Sequence, residues 1–410
     1  MTNRTLVRIA WRNLWRNRRR TALALTAIGL SVALVLLYDG VLRWEGDYLR
    51  QTITGPMLGH VQVHAPEWRR NRAMDRTIRD LPGVLAALTR DPDVAVVNPR
   101  VYGPALAAAG QEGFAVVVLG LDVHGESRPG GLLAGTAASA AGRRVLIGRG
   151  VAAQMQIDAG AEIAIVGQGV DGSLANDLYT VAAVIDTPVD FVNRHAVVMA
   201  LDEAQALFAM PDEAHELVIH ARDPARAAGL AARLNGSASI HGGEALDWQT
   251  LAPSMVDLIE LVEVAWAFVL VLVLVAAAAG VANTMLMATF ERTHEFGMLL
   301  ALGAAPWRLI QMIVLEAVSL GAIGSAIGAT AGGLLVAWAH ENGIDYATWT
   351  GGGPTEISAF GVSWSLVVYP RLEWIDVSRV VTAVMATSIV ASIWPAARAV
   401  RLQPARALRD

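Results

Sequence analysis

Cysteine and lysine are both missing from the 410 residues: no Cys occurs, and all 32 basic side chains are Arg. Without Cys there is no disulfide framework, no thiolate metal site and no cysteine nucleophile. Without Lys there is no Schiff-base catalyst and no Walker A loop, whose lysine must reach the nucleotide phosphates. If ATP drives this protein, a different polypeptide is expected to bind it. Charge is sparse as well. Only 17% of residues are charged and the net charge is -5, which gives no case for nucleic-acid binding. No G-x-S-x-G elbow is present, and the residues make no case for an enzyme.

Apolar residues dominate instead, at 54% of the chain with a mean hydropathy of +0.43. That is too apolar for an ordinary soluble protein, and the excess is gathered into long runs. A bilayer core of about 30 Å needs about 20 mostly apolar residues in helix. Four segments satisfy this: Thr21 to Leu42, Val264 to Phe290, Leu309 to Ala339 with Glu316 as its one interruption, and Val380 to Ala397. The first could be read as a signal peptide, but its apolar run exceeds the roughly 7–15 residues of a signal core and no small-x-small cleavage site follows. An anchor is the better reading.

Arg placement orients the spans. Arg4, Arg8, Arg12, Arg16, Arg18, Arg19 and Arg20 precede the first, and Arg398, Arg401, Arg406 and Arg409 follow the last. Both ends are expected in the cytoplasm, with residues 43–256 and a smaller loop at 341–378 outside. The expected order is an amphipathic segment at 1–20, spans at 21–42, 257–290, 308–340 and 379–397, a cytoplasmic connection at 291–307 and a cytoplasmic tail at 398–410. Within the first segment Arg recurs every four residues while Leu6, Ile9, Ala10, Trp11, Leu14 and Trp15 fill the other faces. Trp11, Arg12, Trp15 and Arg16 then anchor a helix at the membrane surface. The plainer alternative is a stop-transfer flank.

Between the first two spans the texture is that of an α+β domain. Short β-rich runs at 60–64, 114–121, 144–148, 162–166, 178–185, 195–200 and 216–220 alternate with helices near Gly150–Ile157, Asp202–Phe208 and Pro224–Leu234. Two metal-like patterns there fail on spacing. His215-Glu216 is followed by His220 after three residues, where a zinc-protease helix needs two. His60, Gln62 and His64 share one strand face with Val61 and Val63 turned inward, but no third ligand is evident, so a solvated polar face is expected. No metal site is assigned.

The connection after the second span carries a motif. Glu291, Arg292, Glu295, Phe296, Gly297, Leu299, Ala301, Leu302, Gly303 and Ala304 stand in the order E-R-x-x-E-[FI]-G-x-L-[RK]-A-[LM]-G-A, with Leu300 replacing the usual Arg or Lys. Glu316 followed by Gly321, Gly324, Gly328 and Gly332, and a tail of the form P-A-x-R-A-x-x-x-x-P-A-x-A-L-R from Pro395 to Arg409, complete the pattern. Together these resemble the FtsX-like (MacB and lipoprotein-releasing) permease domain of ABC transporters. The resemblance implies an α-helical membrane domain of four transmembrane helices, one plus three, with a large α+β periplasmic domain inserted between helices 1 and 2. It implies a bacterial inner-membrane location, a second permease copy or paralogue, and an ATP-binding subunit that alone holds ATP and Mg. It further implies mechanical coupling to periplasmic work, closest in layout to lipoprotein release. Efflux with a periplasmic adaptor and regulation of cell-wall hydrolases are the alternatives.

On this reading Glu291–Ala304, with His294 among its charged residues and an apolar stripe of Phe296, Leu299 and Leu300, is a coupling helix docked to the ATPase. Spacing alone leaves a plain membrane-surface loop open. The Gly series is expected to allow close helix packing. Glu316 is costly in lipid and is expected to hydrogen-bond a neighbouring helix rather than relay protons.

Overall fold

The computed structural model describes residues 8, 11–110, 112–136, 140–349, 356–359 and 362–400. Arg4, Leu6, Ile9 and Ala10 of the amphipathic stretch, and the tail from Arg401 to Arg409, lie outside the described residues. The chain forms two compact units, one of residues 1–46, 258–353 and 367–410, the other of residues 47–257 and 354–366.

The first unit is helical. Its labelled helices are α1 (Arg18–Ile53), α2 (Pro253–Glu291), α3 (Thr293–Ala301), α4 (Pro306–Asn342) and α5 (Trp374–Val400). All but α3 are long and apolar enough to cross a membrane. They outrun the apolar segments because hydropathy reports bilayer thickness, whereas a helix continues as long as its backbone bonds do. α5 starts at Trp374, five residues before the expected span at 379–397, and its first-turn Asp376 is fully buried against Arg43 of α1 at 2.5 Å. A carboxylate there also suits the positive end of the helix dipole.

Ile28, Val32 and Leu36 of α1, Leu309, Ile313 and Leu320 of α4, and Val380 and Val384 of α5 share one buried core. Glycine lets the backbones approach. A Cβ on Gly324 would stand 2.7 Å from Ile28, one on Gly328 2.5 Å from the Gly29 carbonyl, and one on Gly332 2.9 Å from Ala33. These three, four residues apart, form the seam between α4 and α1. Gly321 faces α5 instead, 2.6 Å from Ser388 Oγ. α2 is different, for Leu261, Val264, Phe268, Val271 and Val275 are all exposed.

The second unit carries a nine-stranded sheet of β1 (Val61–His64), β2 (Val94–Ala109), β3 (Glu112–Leu121), β4 (Arg144–Gly148), β5 (Glu162–Gln168), β6 (Leu174–Ile185), β7 (Ala196–Ala200), β8 (Glu216–Ala221) and β9 (Glu244–Asp247), beside a two-stranded hairpin of Glu356–Ala359 and Val362–Ser365. Their order is β3-β7-β4-β6-β5-β2-β8-β1-β9, and β2 also pairs with β3, which closes six strands into a ring. β2 makes this possible by its length. Val94 to Arg100 pair with β8, and Ala105 to Ala108 pair with β3 on one side and β5 on the other. Helices Arg149–Met155 and Leu201–Leu207 pack on the ring core of Val118, Ile147, Ile163, Val197 and Phe208. Gly103 is obligatory here, since a Cβ would fall 2.0 Å from the Phe208 ring. Helices Leu81–Thr89 and Ala227–Asn235 cover a second core with β1, β8 and β9.

Two expectations for this unit change. The run at 60–64 is not a solvated polar face: all four residues of β1 are buried, and His64 is fully so. β1 lies between β8 and β9, and Trp68 stands 6.0 Å from the His64 ring, so neither face reaches water. β2 itself escapes notice in the sequence because Asn98, Pro99, Gly103 and Pro104 read as turn. The prolines are tolerated because Pro99 is paired only to β8 and Pro104 only to β3, so each has an open side.

Candidate coupling site

α2 ends at Glu291, and the chain turns at Arg292, which leaves helical geometry before α3 begins. α3 stops by a Schellman motif. The Ala304 N–H donates to the Leu299 carbonyl at 2.9 Å and the Gly303 N–H to the Leu300 carbonyl at 3.1 Å, with Gly303 at φ +83°. Only glycine takes that conformation freely. Pro306 then opens α4, where a missing N–H costs nothing. The G-A pair of the motif thus sets a sharp corner between α3 and α4.

Charged residues of the motif meet the segment before α1. Arg292 Nη1 donates to Glu316 Oε1 at 2.8 Å with both side chains 6% exposed. Asn13 Nδ2 donates to the same oxygen at 2.6 Å. Arg16 pairs with Glu295 at 2.5 Å and Arg20 with Glu291 at 2.8 Å, nearer solvent. Thr21 Oγ1 donates to the Leu14 carbonyl, holding the turn that precedes α1. Glu295 thus ties α3 to the segment before α1, Arg292 ties the turn ahead of α3 to α4, and Glu291 ties the end of α2 to α1. Glu316 is held by a guanidinium and an amide. Trp11 and Trp15 stack edge-on at 6.2 Å, half exposed, with Arg12 exposed beside them. Residues 15–17 are a turn, so Arg16 does not continue the helix of Trp11 and Arg12 and reaches Glu295 instead.

Phe296 is 2% exposed and sits in the bundle core, with Leu299, Leu300 and Ala304 packed against it. Gly297 is buried as well. The apolar stripe is thus used within the chain, because α3 lies against the bundle with that face. The outward face is another one. Met298, Leu302 and Trp307 are 44%, 85% and 63% exposed, with Ala301 and Gly303 open between them and His294 exposed at one end. Of these, Met298 and Trp307 carried no signal in the sequence beyond proximity to the motif, Asn13 carried none, and Arg20 was marked only as one of the flanking Arg residues that orient the first span.

The FtsX-like permease C-terminal family matches residues 267–404, and the MacB-like periplasmic core domain family matches residues 21–237, more than half of the chain. The chain belongs to the FtsX-like, MacB-like permease family. Lipoprotein-releasing system transmembrane protein LolE of Haemophilus influenzae is 23% identical to the permease over 422 residues, 98% of each chain. LolC of Neisseria meningitidis serogroup B is 22% identical over 270 residues, 65% of this chain and 64% of that one, so the match spans just under two thirds of its length. Among solved structures, the periplasmic region of MacB from Actinobacillus actinomycetemcomitans covers 48% of the permease at 8% identity with a TM-score of 0.33. The permease is of the ABC transporter type, such homologues imply an ATP-binding partner subunit, and its four apolar helices with these relatives indicate a bacterial inner-membrane protein.

Proposed function

We propose that the permease couples ATP hydrolysis by a separate subunit to mechanical work on the periplasmic side, releasing lipoproteins from the inner membrane. The observation that carries the coupling role is α3, ion-paired and packed onto its own bundle while Met298, Leu302 and Trp307 face outward. A helix fixed on one face and apolar on the other transmits force from a docked partner without deforming. Glu291, Arg292 and Glu295 then act as the clamp, and Leu302 with its neighbours as the docking surface, with Ala301, Gly303 and Ala304 shaping the corner. ATP and Mg are held by the partner. Both ends of the chain face the cytoplasm, and residues 43–256, lying between the first two spans, form the periplasmic domain. The exposed apolar side of α2 suits lipid or a second permease chain. The full-length likeness to LolE favours lipoprotein release over efflux or hydrolase control.

The test is purification in mild detergent followed by ATPase measurement. An ATP-binding subunit must copurify, and acylated lipoprotein must stimulate turnover. Stimulation by a drug or peptide alone would move the reading to efflux, and a response to a cell-wall hydrolase alone would move it to regulation. Absence of any ATP-binding subunit would end the coupling account.

A further inference from the structure

The second unit contains a cavity of about 470 Å³, within the range of small-molecule sites. Its wall is apolar over Met57, Leu58, Trp68, Pro104, Val117 and Phe191. The polar groups gather on one side. Tyr102 donates its hydroxyl to Glu216 at 3.1 Å, and Arg100, fully buried, donates to Glu126 at 2.7 Å and lies 4.0 Å from Glu216. Glu216 is thereby already partnered, and burial raises its carboxyl above the ordinary range.

The rim is cationic. Arg69 donates to the Leu251 carbonyl, and Arg72 lies 4.3 Å over the Trp68 ring and 5.7 Å from Tyr102. Arg72 has no carboxylate within ion-pair distance among the described residues. Its position is held by the backbone. Glu67 and Arg72, flanking the short helix Trp68–Asn71, both take left-handed φ, at +67° and +49°. Non-glycine residues rarely hold that conformation, and two around one turn aim Trp68 and Arg72 together at the cavity. Trp68 is braced behind by His215, stacked at 5.8 Å. An apolar chamber with a guanidinium preset over Trp68 at its mouth, whose electrostatic partner Glu216 is already engaged by Arg100 and Tyr102, fits an amphiphile with an anionic head.

We infer that this cavity binds a single-chain anionic amphiphile, its acyl chain against Val117 and Phe191 and its head group on Arg72 and Arg69. This holds whether or not lipoprotein is the cargo. The shared chemistry, a chain bearing one anionic head, comes from a fatty acid or from a lysophospholipid.

The probe is a palmitate carrying a mid-chain diazirine, photolysed with the purified full chain in non-ionic detergent and mapped by peptide mass spectrometry. Labelling is expected on peptides containing Met57 to Leu58, Pro104 to Val117 and Phe191. Val117→Trp, which fills the chamber, should abolish it. Arg72→Gln, at an exposed position, should weaken it about tenfold, while labelling by the matching diazirine alcohol stays unchanged. Competition by palmitate assigns a fatty acid, and competition by lysophosphatidate alone assigns a lysophospholipid; both support the site. Labelling confined to the apolar helices, labelling indifferent to Val117→Trp, or an Arg72→Gln effect equal for acid and alcohol would overturn it.

Discussion

Replacing Glu316 by Gln removes one charge from the centre of the clamp and little else. Arg292 is left with its side chain 6% exposed, 2.8 Å from an amide instead of a carboxylate, and Asn13 keeps an oxygen to donate to. Breaking a buried pair from one side strands the other charge and typically costs about 3–5 kcal/mol. For a helical unit of roughly 200 residues each kcal/mol moves the midpoint by about 2–4 °C, so E316Q should unfold about 10 °C lower in detergent. Removing both charges is a different perturbation. Arg292→Met with Glu316→Leu replaces the pair by apolar volume and should recover stability to within about 1 kcal/mol of the native chain. The double variant should nevertheless couple poorly, because α3 has lost its tie to α4. The assay is thermal unfolding of the purified chain beside ATPase turnover of the reconstituted complex. A single variant as stable as the native chain, or a double variant no more stable than E316Q, would refute the reasoning. The outer pairs Arg16–Glu295 and Arg20–Glu291 are more exposed, and cutting either should leave the unfolding midpoint close to that of the native chain.

Gly328→Leu should prevent α4 from closing on α1, given 2.5 Å to the Gly29 carbonyl, while Gly333→Leu, which meets nothing within 4 Å, should be silent in expression and unfolding assays. Gly303→Val forces a β-branched residue to φ +83° and should cost about 1–2 kcal/mol, seen as a lowered midpoint and impaired coupling. His64 is fully buried, burial lowers its pKa to about 4, and neither ring nitrogen finds a hydrogen-bond partner among the described residues. An unfolded histidine near 6.5 binds its proton first, so stability is whole above that value and falls as pH drops toward 4, by roughly 3 kcal/mol in all. Denaturant unfolding from pH 7 to 4.5 should show that slope, added to the like-signed share of His60, His215 and His220, whose pKa values burial also lowers, and His64→Phe should make it shallower; an unchanged slope would place the titration elsewhere.

What the sequence discloses follows physical scale. The apolar runs are long because the bilayer is thick, so the four helices are legible, though their ends are not: Arg43 and Asp47 continue α1 as helix after the apolar signal has gone. Strands such as Arg144–Gly148 and Ala196–Ala200 read directly from β-branched runs. β2 does not, because its prolines are acceptable only where one neighbouring strand is absent, a property of the sheet rather than of the segment. At the coupling site the motif marked the right stretch but not its faces. Phe296, within one short helix, and Leu302, at its C-cap, are both apolar, and only packing shows that the first is buried and the second 85% exposed. Asn13 and Glu316, 303 residues apart, share a hydrogen bond that no local pattern encodes.

The outward face of α3 is where the account is most exposed to test. A photo-crosslinking amino acid at Leu302 in the intact complex should capture the ATP-binding subunit, and the same group at Gly333, within α4, should not. Capture of lipid alone at Leu302, while the ATP-binding subunit still copurifies, would contradict the claim that this helix is where ATP-driven motion enters the permease.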